Sequence, residues 1–288
     1  MRRRSAALAC AACLCAVLPA CSPGPPSAPA GPPAASAGPA NPSGPESPDA
    51  SAPTPGSPTT VTATSNAAEL AQRASHSAAT LRSAHLTITS AVGGTRTTVT
   101  GQIAYHPVRM DLTVAVRGMR IREVLVGQTL YLKAPGAGTP GKPWRSLSLR
   151  RLAAFSGLDL RSLINSANAD PTVQLLNRAA DLRLVGVETV GGVRTRHLTG
   201  TVDLDAVFAA MPASERATAT TLQDMVDQLG VTDDQIDVWV NDDELPVKVV
   251  QSYLSSLGPG RSTMYLSRLN ARTSISAPPR SQVAPFPG

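Results

Sequence analysis

The clearest signal in the chain is a two-residue alternation of apolar and polar positions. Val108, Met110, Leu112, Val114 and Val116 fall on one side, and Arg109, Asp111, Thr113 and Ala115 on the other. Successive side chains of a strand point to opposite faces, so this run predicts a strand with one buried face. Similar runs flank it. Leu86 and Ile88 alternate with Thr87 and Thr89, Thr95 to Tyr105 is extended and threonine-rich, and Met119 to Val126 and Thr129 to Lys133 follow. The joints are short: Gly93-Gly94, His106-Pro107, Arg117-Gly118 and Gly127-Gln128. Short turns between alternating runs predict antiparallel hairpins. The pattern returns at Leu182 to Thr189 and Val193 to Val202, split by Gly191-Gly192. It closes the chain as a meander: Ile236, Val238 and Val240 in one strand, then Leu245 to Leu254, then Arg261 to Asn270.

Helical periods interrupt the strands. Asn66-Ala67-Ala68-Glu69 reads as a capping box, followed by Leu70, Ala74, Ala78 and Leu81 on one face. Arg150 to Phe155 and Leu160 to Ala167 read as short helices, and Arg145, Arg150 and Arg151 beside Trp144 read as an exposed helix start with ordinary charges, the alternative being contact with anionic headgroups at a membrane surface. Asp170-Pro171 reads as an N-cap with proline at the first helical position. Leu222, Met225, Val226 and Leu229 are spaced for one helical face, and Gly230 stands at the C-cap position. About ten strands in neighbouring antiparallel pairs, with three helical segments, give an α+β fold.

The first 64 residues belong to no such pattern. Arg2-Arg3-Arg4 precedes an apolar run from Ala6 to Val17. That is an export signal, far shorter than the ~20 residues of a membrane-spanning helix. It ends Leu18-Pro19-Ala20-Cys21, which resembles the lipobox of bacterial lipoproteins. The resemblance implies cleavage before Cys21, acylation of its sulfur, and a location on the extracytoplasmic face of the cell membrane. Residues 1–20 are then the signal peptide and 21–64 a linker of Pro, Ala, Ser, Gly and Thr. Thirteen of the 26 prolines lie between Pro23 and Pro58. Such a stretch buries no core. It spans ~120 Å as a polyproline spacer or ~35 Å as a coil. Residues 65–276 form one domain, and the Pro-rich tail 277–288 is expected to be loose.

All four cysteines fall within the first 21 residues, so the mature chain keeps Cys21 alone and has no disulfide within it. Losing residues 1–20 removes three arginines and no acid, leaving 23 basic and 20 acidic residues, a net charge of +3. Scarce aromatics and dispersed basic residues speak against nucleic-acid binding. The histidines, at 76, 85, 106 and 197, lack zinc-hydrolase spacing, and there is no nucleophile elbow, phosphate loop or dinucleotide motif. The acids Asp233, Asp234, Asp237, Asp242, Asp243 and Glu244 do not match a calcium loop and read as solvated turn residues. No catalytic residue, metal site or cofactor is expected.

The lipobox, the linker, the helix before a Thr-rich hairpin, and Gln128-Thr129-Leu130-Tyr131-Leu132-Lys133 together resemble the LppX/LprAFG family of actinobacterial lipoproteins. So does the late pair Ile236-Asp237-Val238-Trp239-Val240 and Leu245-Pro246-Val247-Lys248-Val249. The more distant resemblance is to the LolA/LolB carriers. It implies a strongly curved antiparallel half-barrel with helices on its concave face and an apolar cavity for acyl chains. Burial there is worth roughly 0.8 kcal/mol per CH₂. The candidate lining is Leu112, Val114, Val116, Leu130, Leu132, Phe155, Ile164, Leu176, Met225, Ile236, Val238 and Val240. A packed core and a lipid cavity both satisfy this pattern. The expected function is therefore a membrane-anchored envelope lipoprotein that binds or transfers a lipid or glycolipid. The alternative is a sensor or scaffold that uses the same fold to bind an envelope protein partner.

Overall fold

The computed structural model describes residues 60–156, 175–209 and 216–286. Cys21, the linker before residue 60, Ile164 and the segment from Leu160 to Pro171 lie outside the described residues.

The chain opens with helix α1 (Thr60–Ala79), followed by strands β1 (Ser83–Val92), β2 (Thr95–Tyr105), β3 (Val108–Val116), β4 (Met119–Val126), β5 (Thr129–Lys133) and β6 (Trp144–Ser148). Helix α2 (Leu149–Ser156) comes next, then β7 (Ala180–Val190) and β8 (Val193–Val202). Helices α3 (Leu204–Ala209) and α4 (Arg216–Leu229) precede β9 (Thr232–Asn241), β10 (Pro246–Leu254), β11 (Gly260–Ser267) and β12 (Val283–Pro285).

Among the described residues, twelve strands join one curved, unclosed sheet in the order β12-β6-β5-β4-β3-β2-β1-β11-β10-β9-β8-β7. Every neighbouring pair is antiparallel except β12 with β6. The fold is α+β. The hairpin ends match the sequence expectation closely, because the turn chemistry sets them. Gly93 and Gly94 take φ of 53° and 73°, the conformation that a two-residue turn needs to follow the twist of its strands.

Residues directly opposite each other in antiparallel strands share a face. One row therefore runs Leu198, Val238, Val249, Met264, Ile88, Val99, Val114, Ile121 across eight strands. This is the inner face. Helix α1 lies on its β8–β10 side, where Ala67, Leu70, Ala71, Ala74 and Ala78 pack with Leu198, Val202, Ile236, Val238, Val240 and Val249. The alanines let the helix lie close to the sheet.

Three expectations are corrected. The capping box lies inside α1, which starts at Thr60. No Gly or Pro separates Pro58 from Asn66, so nothing halts helix propagation until that proline is reached. Trp144 and Arg145 begin a strand, not an exposed helix start, and Trp144 is 6% exposed. The helix starts after that strand: the Ser148 hydroxyl accepts from the Arg151 backbone N–H at 3.3 Å, as an N-cap does. The tail is not loose. Val283–Pro285 adds to β6 as a parallel strand, the Phe286 N–H donates to the Ser146 carbonyl at 2.9 Å, and Phe286 packs on the inner cluster. On the other face Ile275 is buried with Val124 and Trp144. Proline is tolerated in this strap because an edge strand has backbone N–H groups to spare.

Candidate functional site

The inner face carries two main apolar clusters. On one side Leu112, Val114, Leu130 and Leu132 pack with Ile88, Val99, Ile121, Leu125, Leu147, Leu149 and Leu152. On the other, Leu176, Ile236, Val238 and Val240 are each 0% exposed beneath α1. Val116 shares the face but sits half-buried at the end of its strand. Phe155 falls in α2 and Met225 in α4.

The middle of the face is different. Leu86, Met110 and Met264 are only half-buried, although they lie among clusters whose members are nearly all covered. Met264, on the central strand β11, touches three separate clusters. Gly101 stands between Leu86 and Leu112 in the same face and offers no side chain. A Cβ there would overlap the Asp111 carbonyl oxygen. None of Leu86, Met110, Met264 or Gly101 was among the sequence candidates. The alternation did place Met110 beside Leu112, and Leu86 beside Ile88. Only the pairing of β1 with β11 shows that Met264 joins them.

Two polar features border this apolar floor. One row of the inner face reads Gln251, Ser262, Ser90, Thr97, Val116, with the Ser90 and Ser262 hydroxyls 3.0 Å apart. Glu123 sits between Leu112 and Leu132 and is 2% exposed. A long apolar molecule with a polar end matches such a surface: the floor removes acyl chain from water, and the Ser/Thr/Gln row supplies hydrogen-bond partners at one rim.

The opposite, outer face explains the Asp-x-Trp motif. His197 stacks on Trp239, with ring centroids 4.1 Å apart and planes inclined by 15°. Lys248 Nζ lies 3.6 Å from the centroid of the Trp239 ring. His197 Nδ1 lies 2.8 Å from Glu188 Oε1 and its Nε2 lies 2.9 Å from Asp237 Oδ1. The Trp239 indole N–H donates to Glu188 Oε2 at 2.7 Å. This network ties β7, β8 and β9 together. Its groups are committed to one another, so it acts as a clamp on the sheet. Among the described residues no group of three or more His, Cys, Asp or Glu side chains is placed to hold a metal ion, and no helix is long and apolar enough to cross a membrane.

The Trp239 N–H, and then His197, hold the Glu188 carboxyl below the usual carboxylate range. A group with a lowered folded pKa stabilises fully above its unfolded pKa, and that contribution is lost as pH falls through the folded value. Trp239→Phe removes the indole donor. The lost hydrogen bond accounts for ~1 kcal/mol at neutral pH, and the smaller ring in this buried position adds a packing loss that does not depend on pH. The gap between variant and parent should therefore narrow, without closing, as pH falls through the lowered Glu188 pKa. Thermal midpoints measured from pH 7 to pH 3 check this, and a gap that stays constant across that range would exclude the Glu188 linkage.

No protein-family profile matches the chain. Two curated Streptomyces proteins do. An uncharacterized protein of Streptomyces griseus is 27% identical over 156 residues, covering 53% of this chain and 51% of the relative. A candidate lipoprotein of Streptomyces coelicolor is 28% identical over 138 residues, covering 48% of this chain and 39% of the relative. The matched region thus spans about half of these relatives or less. Among solved structures, LprF of Mycobacterium bovis superposes with a TM-score of 0.52 at 16% sequence identity, over 74% of this chain and 97% of that one. The chain has an LprF-like fold.

Proposed function

We propose that this LprF-like chain is an exported envelope lipoprotein, anchored to the cell membrane through Cys21, that carries a lipid or glycolipid on the inner face of its sheet. The observation that carries the reading is the half-buried apolar centre formed by Leu86, Met110 and Met264. The sheet flanks beside it are closed by α1 and α2, while this centre keeps apolar side chains only partly covered. The polar row at Ser90, Thr97, Gln251 and Ser262 supports a ligand with a headgroup at one end. The lipobox and the candidate lipoprotein of Streptomyces coelicolor support the anchor.

Titration with a fluorescent fatty acid tests the carrier. Saturable binding near one probe per chain, with displacement by extracted envelope lipid, is the expected outcome. A chain that enhances no probe and retains no lipid is a closed scaffold. The anchor has its own test. Cys21→Ala is expected to shift the protein from the membrane fraction to a soluble or unprocessed form. A variant that stays membrane-bound and fully processed would remove the lipobox from the account.

A further inference from the structure

The outer face has a charge distribution that the carrier function does not require. On strands β2 to β5 it presents Arg96, Arg109, Arg120, Arg122 and Lys133, all exposed, against one carboxylate, Asp111. Asp111 is engaged by Arg122 through two hydrogen bonds, at 2.9 and 2.8 Å. Among the described residues no ion pair reaches the other four cations. The strap that leads to β12 adds Arg272 and Arg280 and no acid. The far half of the same face, on β7 to β9, holds the carboxylates Glu188 and Asp237 and the exposed cation Arg183. Cationic excess is therefore concentrated toward β5.

The cationic half is also concave. Thr113, Arg120, Arg122 and Lys133 line a cleft of about 510 Å³, closed on one side by the loop from Ala134 to Pro143. Arg122 and Lys133 reach it across the buried Trp144 ring, at 5.7 and 6.0 Å from the ring centroid. The uncommitted Arg120 guanidinium and Lys133 ammonium with the Thr113 hydroxyl, beside an Arg122 already held by Asp111, are suited to phosphate oxygens.

We propose that this half of the outer face docks the domain on the surface of an anionic phospholipid bilayer, with a headgroup phosphate in the Arg120–Arg122–Lys133 cleft. The occupant follows from charge complementarity and from the chain before α1. A bilayer offers phosphates over an area that matches cations spread across four strands. The chain between Cys21 and α1, about forty residues long, is a tether long enough to let the face reach that surface and raises its effective concentration there. The inference rests on the membrane-anchor part of the proposed function and is independent of whether the inner face carries lipid. Each cation near such a surface is worth roughly a fivefold change in partitioning.

The test uses the chain from residue 22 onward, which keeps every described residue and lacks the acylated cysteine. Sedimentation with vesicles of phosphatidylcholine alone, and of phosphatidylcholine with one third phosphatidylglycerol, measures partitioning. Binding is expected to the anionic vesicles, to weaken with added salt, and to fall at least ~25-fold in Arg120→Glu/Lys133→Glu. The matched pair Arg183→Glu/Arg216→Glu changes net charge equally away from the cleft and should lose far less. Both pairs are exposed, and an unchanged thermal midpoint checks their folding. Equal losses in the two pairs would show general charge attraction and overturn the proposal, as would equal binding to neutral vesicles. Binding of inorganic phosphate in the cleft without anionic-vesicle binding would assign it to a soluble anion, and also overturn the proposal. Met264→Trp should leave vesicle binding unchanged, so failure of docking and failure of the carrier reading are separable.

Discussion

A chain ending at Ser276 is expected to lose roughly 3 kcal/mol of stability, or about 6–12 °C in melting midpoint. Residues beyond Ser276 look dispensable by composition, since seven of the last twelve are Pro, Gly or Ala. The structure assigns them a closing role. Val283, Ala284 and Pro285 cover the backbone of β6, which would otherwise be an open edge. Ala284 is 8% exposed, and Phe286 folds around that edge onto the cluster containing Leu147 and Leu149. Truncation removes this contact and uncovers an apolar strip beside Trp144. Differential scanning calorimetry of the two chains decides the matter. A shift under 2 °C would mean that the strap is an ornament on an already closed sheet. Phe286→Ala, which leaves β12 in place, should show a smaller part of the same loss.

Met264→Trp is expected to weaken lipid binding at least tenfold while changing stability by less than ~1.5 kcal/mol. The reasoning concerns space. Met264 stands where three clusters meet and is only half-buried. An indole there occupies the volume that the carrier account gives to an acyl chain. If that volume were filled by protein, the larger ring would force its neighbours apart at a cost of about 1–3 kcal/mol or more. The two outcomes therefore diverge in two readouts at once. Retained stability with lost binding supports an open centre. Marked destabilisation, with no binding to lose in the parent chain, supports a packed scaffold. Val114→Trp is the matching control: Val114 is 2% exposed, so it should destabilise.

The local architecture was legible wherever turn chemistry and alternation agreed. Gly93-Gly94, Arg117-Gly118 and Gly191-Gly192 set hairpin ends that the structure reproduces. Short elements escaped because their signal is weak. β6 has five residues, and its alternation merges into the helical leucines Leu149 and Leu152. Helix α3 has six residues, although Asp203 before it is a readable cap: its carboxylate accepts from the Ala206 N–H at 3.0 Å. β12 escaped because its prolines suggest a loose tail and its partner lies more than a hundred residues away. The candidate lining was legible by face but not by coverage. Alternation put Leu112, Val114, Ile236 and Val238 on inner faces. It could not single out Leu86, Met110 and Met264, since Leu86 and Met264 are brought onto one face by the pairing of the first strand with the eleventh, and Met110 sits one strand beyond β2 from Leu86. Long-range register of this kind leaves no local mark in the sequence.

Native mass spectrometry of the processed protein, purified from membranes of the producing cell, addresses the carrier account most directly. The expected spectrum shows the acylated chain with close to one further lipid, removable by solvent extraction and absent from Met264→Trp. A spectrum holding only the acylated chain, from a preparation that also binds no fatty-acid probe, would contradict the account and leave the LprF-like sheet as a closed scaffold.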